Sequence, residues 1–448
     1  MNMKRTILAI VVFVLVLGYA FAGGKPEGEE VKTKEEVITL EMWGIATSGK
    51  PTASRFEKTI ELWEAENPNI QINMVNTTDA AYKTKLKTAM GAGQLPDIIF
   101  SWIGTASHKP LVDAGLVIDM RPYMEQGGWL EEYSPASIAS VTYDGGIYAT
   151  MTMAGARTVA NFYRSDIFKQ VGLGEPDPLK PPAWDKYKSI LQKLMGSGVT
   201  PYAFGNREKW PGSFWFMFFL DRIGGADAYP NAADADGTGS FTDSPFIEAG
   251  RRIQELVKMG AFGEGFNGRS HEDGSPMALL YRGDAAMMLQ GDWIYGNFKK
   301  QDPETAAVTK TFPFPVVPGG VGNPLNTIGA PGGQALSVSK SSDHIEEAVE
   351  FLRFISTDDR IQEMIVKSGV LTYWKGFSGM IEDPVVAKLV EMDSQSPTKQ
   401  LWIQEDLPAE VSEVYLNEVQ AIFGGQDPAA AMQRLEDAHA RHWAWAAK

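Results

Sequence analysis

The sequence predicts an α/β fold divided into two domains, and three observations lead to this prediction. Strand and helix patterns alternate in a β-α-β-α-β series that begins at residue 37. A second alternating series begins at residue 159. About 410 residues follow the export signal and the tether described below, which is too many for one hydrophobic core and comfortable for two.

The first series predicts a mainly parallel sheet, because each pair of strands is joined by a helix. Ligands of such sheets bind beyond the carboxyl ends of the strands. Trp43 is the last residue of one predicted strand and Trp102 follows another, so we expect both at the ligand-binding edge. The elements of this series are strands at 37–43, 70–75 and 96–100 and helices at 56–66 and 80–92.

The second series predicts another α/β unit, and helices follow it to the end of the chain. Residues 231–239 are predicted to form a polar surface loop. The Pro/Gly-rich stretch 312–333 is predicted to cross between the domains. The expected elements are strands at 159–163 and 285–289 and helices at 184–195, 214–223, 246–259, 342–356, 358–367, 408–423 and 428–446.

The first 22 residues have the pattern of a secretory signal peptide. Lys4 and Arg5 precede an apolar run at 7–17, and Ala-Phe-Ala at 20–22 provides a cleavage site. We therefore expect a mature chain that starts near Gly23. Residues 23–36, rich in Lys, Glu, Gly and Pro, are predicted to be a flexible tether. No later stretch reaches the roughly 18 apolar residues of a membrane helix, which predicts an exported and released protein.

Composition excludes several functional classes. The formal net charge of −15 repels phosphate backbones, so we expect no nucleic-acid partner. The chain contains no cysteine, which excludes disulfides, thiolate metal sites and cysteine catalysis. Its 12 tryptophans are unusual because several of them stand beside Gly, Pro or charged residues.

Two short motifs resemble nucleotide and metal sites but depart from them at critical positions. Residues 44–50 fit the spacing GxxxxGK, yet Pro51 stands where a hydroxyl must hold magnesium. Residues 234–237 resemble the start of a calcium loop, but Pro245 occupies the position of the bidentate glutamate. The five histidines are scattered, and the pair His439 and His442 on the last helix is predicted to lie on a solvated face. We therefore expect no metal and no cofactor.

Glycoside hydrolysis stays open at this point because it needs only two carboxylates. Asp97, Glu208 and Asp292 are candidates for the catalytic carboxylates, although helix capping or hydrogen bonding to a ligand explains the presence of each more readily. No GxSxG motif for a serine hydrolase is present.

Tryptophans in loop contexts are the strongest functional signal. Flat indole faces stack on the apolar faces of sugar rings, while neighbouring polar groups bond the hydroxyls. For any single tryptophan, packing in the core or hinge is the alternative. These residues are Trp43, Trp102, Trp210, Trp293, Trp374 and Trp402.

A further motif is RGDAAMMLQGDW at 282–293. Other segments with a recognisable pattern are 56–70, 82–86, 92–98, 145–148, 162–168, 181–185 and 348–355. Through these segments, of which 282–293 is the most diagnostic, nearly the whole mature chain resembles the extracellular solute-binding proteins of bacterial ABC sugar importers, the maltose-binding-like group.

The resemblance implies the class II periplasmic-binding-protein fold, with two α/β lobes and a ligand cleft between them. The implied bounds are 37–155 with 325–369 for the first lobe and 156–324 with 370–448 for the second. The chain would cross between lobes near Ala154, Gly322 and Gly369. The ligand-binding residues expected in this way are Trp43, Trp102, Arg157, Glu208, Trp210, Asp292, Trp293, Gly332, Gly333 and Trp374.

The implied function is that of a receptor rather than an enzyme, without catalytic residues. It would capture a neutral sugar, in particular an oligosaccharide, and deliver it to membrane permease subunits by domain closure. Many relatives carry a lipid-modified cysteine at the mature start, where this chain has Gly23. We therefore expect a monomer that diffuses freely in the periplasm. The alternative is a secreted glycoside hydrolase that uses the same aromatic cleft.

Overall fold

The computed structural model describes residues 37–48, 51–151, 158–234, 238–329 and 333–446. The predicted signal peptide and tether lie outside these residues. Among the helices so described, none combines the length and apolar character needed to cross a bilayer.

The strands are short, and most belong to two sheets. They are β1 (Ile38–Gly44), β2 (Ile70–Asn76), β3 (Ile98–Trp102), β4 (Thr142–Tyr143), β5 (Gly146–Ile147), β6 (Thr150–Met151), β7 (Val159–Arg164), β8 (Thr200–Tyr202), β9 (Ala285–Gly291), β10 (Thr309–Phe312), β11 (Thr327–Ile328), β12 (Gln334–Val338) and β13 (Lys399–Gln400).

Helices separate the strands and form most of the last hundred residues. They are α1 (Pro51–Glu66), α2 (Asp79–Ala92), α3 (His108–Asp113), α4 (Arg121–Met124), α5 (Pro135–Ala139), α6 (Ser165–Gln170), α7 (Trp184–Gly196), α8 (Trp210–Gly224), α9 (Ala228–Ala233), α10 (Ser244–Met259), α11 (Ser275–Arg282), α12 (Trp293–Gln301), α13 (Pro303–Val308), α14 (Ile345–Thr357), α15 (Asp359–Lys367), α16 (Pro384–Gln395), α17 (Ile403–Asp406), α18 (Ala409–Phe423) and α19 (Pro428–Ala446).

The first sheet has the order β2-β1-β3-β12-β6. Strand β1 runs parallel to both β2 and β3, which confirms the parallel sheet predicted from the β-α-β-α-β series. Strand β12 was not predicted, and it pairs antiparallel with β3 and β6. The hydroxyl of Tyr82 donates to the carbonyl oxygen of Phe100 at 2.6 Å, which fixes α2 against β3. We call the part built on this sheet the first lobe.

The second sheet has the order β10-β7-β9-β8, and β9 is buried along its whole length. Helix α8 packs against this sheet, and nearly all of its side chains are buried, as its continuous apolar sequence predicts. Helix α17 lies on α8, where the N–H of Ile403 contacts the sulfur of Met217 at 3.4 Å. We call the part built on this sheet the second lobe.

Several local predictions need correction. The stretch 231–239 is not all loop, because α9 continues to Ala233; residues 235–237 lie outside the described residues. Trp102 is the last residue of β3 rather than a residue after it, and β1 extends one residue beyond Trp43, to Gly44. The stretch 312–333, predicted to cross between the domains, also contains the short strand β11, which was not predicted and pairs with β13.

The chain passes from the first sheet to the second between β6 and β7 and returns between β10 and β12. The predicted crossing near Ala154 lies outside the described residues. At the return crossing, a β-carbon on Gly322 would lie 1.8 Å from the carbonyl oxygen of Asp221 on α8. Glycine is therefore required there for the crossing segment to approach the helix. The lobe bounds remain a prediction.

Candidate functional site

The end of strand β9 brings Gly291, Asp292 and Trp293 together. The indole of Trp293 folds back over Gly291 so closely that a β-carbon at Gly291 would lie 1.9 Å from the ring. The missing side chain of Gly291 therefore determines where this indole lies. Asp292 is completely buried, and its Oδ2 accepts a hydrogen bond from the backbone N–H of Leu371 at 3.1 Å. This bond fixes the start of α12 to the segment that follows α15.

A strained turn places Trp210 at the start of α8. Lys209 has φ 68° and ψ −41°, and the N–H of Trp210 donates to the carbonyl oxygen of Glu208 at 2.8 Å. Such a γ-turn is rare and strained for a residue that has a β-carbon. The buried Asn206 supports it, because its Oδ1 accepts from the N–H of Gly212 at 3.0 Å. Strain of this kind concentrates at binding and active sites.

The Glu208 carboxylate is held by three donors. Its Oε1 accepts from the hydroxyl of Ser270 at 2.6 Å and from Nε of Arg207 at 3.1 Å. Its Oε2 accepts from the backbone N–H of His271 at 2.7 Å. Burial raises the pKa of Glu208, but these hydrogen bonds and the charge of Arg207 together outweigh burial and lower that pKa. The carboxylate therefore stays ionised at neutral pH and acts as an acceptor.

Four rings of the second lobe form what we call the aromatic cluster: Trp210, Phe214, Trp293 and Trp402. The centroid of the Trp293 ring lies 6.3 Å from that of Trp210, 6.2 Å from Phe214 and 6.0 Å from Trp402. Trp210 and Trp293 are partly exposed, whereas Phe214 and Trp402 are buried behind them. The ring of His271 lies 4.8 Å from Trp210. The structure thus joins three of the six loop tryptophans, Trp210, Trp293 and Trp402, and adds Phe214 and His271 to them.

The two tryptophans of the first sheet have a different environment. Trp43 is 9% exposed and Trp102 is 5% exposed. The ammonium of Lys85 lies 3.4 Å from the centroid of the Trp43 ring, and that of Lys83 lies 4.6 Å from the centroid of Trp102. Cation–π contacts therefore cover one face of each ring. The Trp43 indole N–H also donates to Glu41 of the same strand.

The other predicted site residues are dispersed. Trp374 is 4% exposed and forms an isolated β-bridge with Tyr133. Gly333 has φ 59°, and its carbonyl oxygen accepts from the N–H of Ile103, directly after Trp102. Arg157 and Gly332 lie outside the described residues.

Glu405 on α17, which no sequence motif indicated, connects the two lobes. Its Oε1 lies 2.7 Å from Nζ of Lys83 on α2. Its backbone carbonyl oxygen accepts from the N–H of Ala106 at 3.1 Å, and a β-carbon on Gly104 would lie 2.1 Å from that oxygen. The hydroxyl of Thr105 donates to the next carbonyl, that of Asp406. The loop after β3 thus docks directly on the backbone of α17.

Within the described ranges, no group of three or more His, Asp or Glu side chains has an arrangement that could hold a metal ion. His442 pairs with Glu410, and Nε2 of His439 lies 3.1 Å from the carbonyl oxygen of Ala233. These two histidines, predicted to lie on a solvated face, hold α19 to neighbouring helices instead. Part of the calcium-like segment lies outside the described residues.

Comparison with known proteins decides the family. Residues 46–360 match the profile described as "Bacterial extracellular solute-binding protein", which is more than half of the chain. The chain belongs to this family. The Gly291-Trp293 motif of this solute-binding protein lies inside the matched segment, whereas Trp374, Trp402 and Glu405 lie beyond it. The family match therefore gives no indication of a role for Glu405.

Individual relatives agree with this assignment. The chain is 24% identical over 378 residues to the "Multiple sugar-binding protein" of Streptococcus mutans, covering 83% of this chain and 80% of that protein. A structure from a study of xylan utilization by Caldanaerobius polysaccharolyticus is 26% identical, with a TM-score of 0.80 over 89% of this chain and 99% of that one. A chitin oligosaccharide binding protein is 21% identical, with a TM-score of 0.81 over 91% and 99%. The solute-binding protein therefore has the two-lobed, maltose-binding-like fold that the sequence predicted.

Proposed function

We propose that this solute-binding protein is the receptor of an ABC transporter and captures a neutral sugar, in particular an oligosaccharide. The aromatic cluster carries the proposal. Two partly exposed indoles, Trp210 and Trp293, stand on buried aromatic rings and offer flat apolar surfaces of the kind on which sugar rings pack. Glu208, ionised and adjacent to Trp210, offers acceptor lone pairs for sugar hydroxyls. The sugar-binding names of relatives support the same ligand class.

The other residues predicted to bind the ligand differ in how readily they can contact a sugar. A sugar can stack on the lysine-covered face of Trp43 or Trp102 only if Lys85 or Lys83 moves away from that face. We assign Asp292 the role of holding Leu371, which is consistent with its complete burial. Arg157, Gly332, Gly333 and Trp374 remain candidates for contact with the sugar.

Delivery of the sugar to membrane permease subunits by domain closure belongs to the same proposal, as does a monomer in the periplasm. Closure requires that the ligand bind the closed state better than the open state. Residues from both lobes must therefore touch the sugar. The two lobes already contact each other in this structure, for example between Ala80 and Glu272, whose backbone nitrogen and Oε1 lie 3.3 Å apart.

The alternative, a glycoside hydrolase, needs two carboxylates free to act on the sugar. Two of the three imaginable acids hold backbone groups: Asp97 accepts from the N–H of Glu41 at 2.8 Å, and Asp292 accepts from Leu371. The lowered pKa of Glu208 disfavours a general acid. These observations favour the receptor. Incubation with oligosaccharides tests the alternative, since a hydrolase would shorten them.

Calorimetric titration with a panel of neutral mono- to tetrasaccharides tests the receptor proposal. We expect at least one oligosaccharide to bind with Kd near or below about 1 μM, or about −8 kcal/mol. Negligible heat and an unchanged melting temperature across the panel would refute sugar binding.

A further inference from the structure

We propose that Lys83 and Glu405, one from each lobe, form a binding site for two neighbouring hydroxyl groups of the sugar. This inference rests on the proposed function and specifies how the lobes share the ligand. It adds two residues that the sequence analysis did not name as ligand-binding: Lys83, which lies inside the matched family segment, and Glu405, which lies beyond it.

The buried carboxylate of Glu405 has incomplete hydrogen bonding. Glu405 is 5% exposed, and its Oε1 is paired with Lys83. Its Oε2 is buried and has no hydrogen-bond partner among the described residues. A buried carboxylate oxygen without a donor is costly, and a sugar hydroxyl is a donor of suitable size.

Lys83 and Glu405 also lie close to the rings that are proposed to bind the sugar. Glu405 lies one helical turn after Trp402, and its N–H donates to the Trp402 carbonyl oxygen at 2.9 Å. Trp402 belongs to the aromatic cluster, and its ring lies 6.0 Å from Trp293. Lys83 reaches the same carboxylate from the first lobe, where its ammonium lies over Trp102. The pair therefore lies between the aromatic cluster and the first-sheet tryptophan.

The hydrogen-bonding groups of Lys83 and Glu405 are complementary to two adjacent sugar hydroxyls. An ammonium has three donors and a carboxylate accepts only, so the pair offers both kinds of hydrogen-bonding group within 2.7 Å of each other. Two adjacent hydroxyls of a sugar ring present matching groups, since one accepts from Lys83 while the other donates to Glu405. Bonds to charged partners are stronger than neutral ones.

Lys83 and Glu405 would also make the sugar bind the closed state more tightly than the open state. Lys83 is carried by α2 on the first sheet, and Glu405 is carried by α17 on α8. A hydroxyl pair bridges them only when the lobes meet, so this contact favours the closed state over the open one.

The experiment measures binding of xylotetraose, chitotetraose and maltotetraose by calorimetry to the mature wild-type protein, Glu405→Gln and Lys83→Met. Matched controls remove ion pairs elsewhere: Glu418→Gln, whose partner is Arg434, and Lys109→Met, whose partner is Asp113. We expect each site variant to weaken the tightest-binding tetrasaccharide at least tenfold and each control to change its Kd less than twofold. Thermal unfolding verifies that each variant is folded.

Monodeoxy analogues of that tetrasaccharide separate direct contact from an indirect structural effect. If Glu405 bonds a hydroxyl, the loss caused by Glu405→Gln disappears for the analogue that lacks this hydroxyl. Equal losses for all analogues, or variants that bind like wild type, would overturn the inference while leaving the receptor proposal intact. Failure of the wild-type protein to bind any sugar of the panel would overturn both.

Discussion

At the residue scale, the site depends on groups that fix the positions of a few large rings. Gly291 lets the Trp293 indole lie on the backbone, and the γ-turn at Lys209 brings Glu208 and Trp210 to the start of one helix. Buried Phe214 supports both indoles from behind. Because these positions are set before the ligand arrives, little conformational entropy is lost when a sugar packs on them.

Replacement of Trp293 by alanine tests whether this indole is the main contact for the sugar. We expect Trp293→Ala to weaken oligosaccharide binding by about 2 kcal/mol or more, as for a central aromatic residue. The melting temperature should change less than for a buried tryptophan, because this ring is partly exposed. Trp443→Ala, which removes a 37% exposed tryptophan from α19, is the control for calorimetry. Unchanged affinity in a folded variant would show that Trp293 only packs the protein.

His108 provides a pH-dependent prediction. It is completely buried beside Ser101, and burial lowers its pKa from 6.5 to about 4. The unfolded chain therefore binds a proton below pH 6.5 that the folded protein does not take up until about pH 4. This contribution to stability is complete above pH 6.5 and is lost as the pH falls towards 4.

The measurement is urea unfolding of wild type and His108→Gln at several pH values between 4 and 7. We expect the wild type to lose more free energy of unfolding across this interval, by on the order of 3 kcal/mol. Tyr143, whose ring lies 5.7 Å from His108, is neutral throughout this range because burial raises its pKa to about 12. Parallel pH profiles would contradict the assignment.

The sequence predicted both Trp210 and Trp293 as ligand-binding residues, and the structure places the centroids of their rings 6.3 Å apart. It could not predict the role of Phe214, because the apolar run of α8 is equally well explained by core packing. Glu405 was missed for a different reason: its importance comes from Lys83, which is 322 positions earlier in the chain. Contacts of such separation leave no periodic signal in one sequence.

At the element scale, the loop between β3 and α3 docks on the backbone of α17. Gly104 has φ 136° and lies so close to Glu405 that any side chain would collide with a carbonyl group. The β-α-β-α-β series was predicted correctly because each element carries its own hydrophobic pattern. Strand β12 was not predicted, since its place in the first sheet is decided by pairing with β3 and β6.

Alanine at Gly104 tests this docking. We expect Gly104→Ala to separate the loop from α17 and to weaken sugar binding at least tenfold, because Lys83 and Glu405 then no longer meet. Gly115→Ala is the matched control: Gly115 also has a positive φ, 62°, but no atom lies within 4 Å of the position that its β-carbon would take.

In the control variant, backbone strain alone should lower the free energy of unfolding by about 1 kcal/mol or more and leave Kd unchanged. Calorimetry and thermal unfolding of both variants distinguish the two effects. Equal affinities for Gly104→Ala and wild type would show that the loop contact does not contribute to ligand binding.

At the scale of the whole molecule, two lobes meet through contacts from several elements. Lys83 of α2 reaches Glu405, Ala80 reaches Glu272, and Lys300 of α12 bonds Ser54 of α1. These contacts do not involve a ligand, so a sugar would add to an interface that is already partly complementary. In the closure that we propose, the free energy would come from contacts of the sugar with the aromatic cluster of the second lobe and with residues of the first lobe.

Ligand-driven closure can be measured by small-angle scattering of the mature protein, with and without a saturating oligosaccharide shown to bind by calorimetry. We expect a smaller radius of gyration with the sugar and an unchanged molecular mass, because the lobes should close on the ligand without a change of oligomeric state. Superimposable curves with and without the bound sugar would contradict closure and would indicate a rigid sugar-binding module.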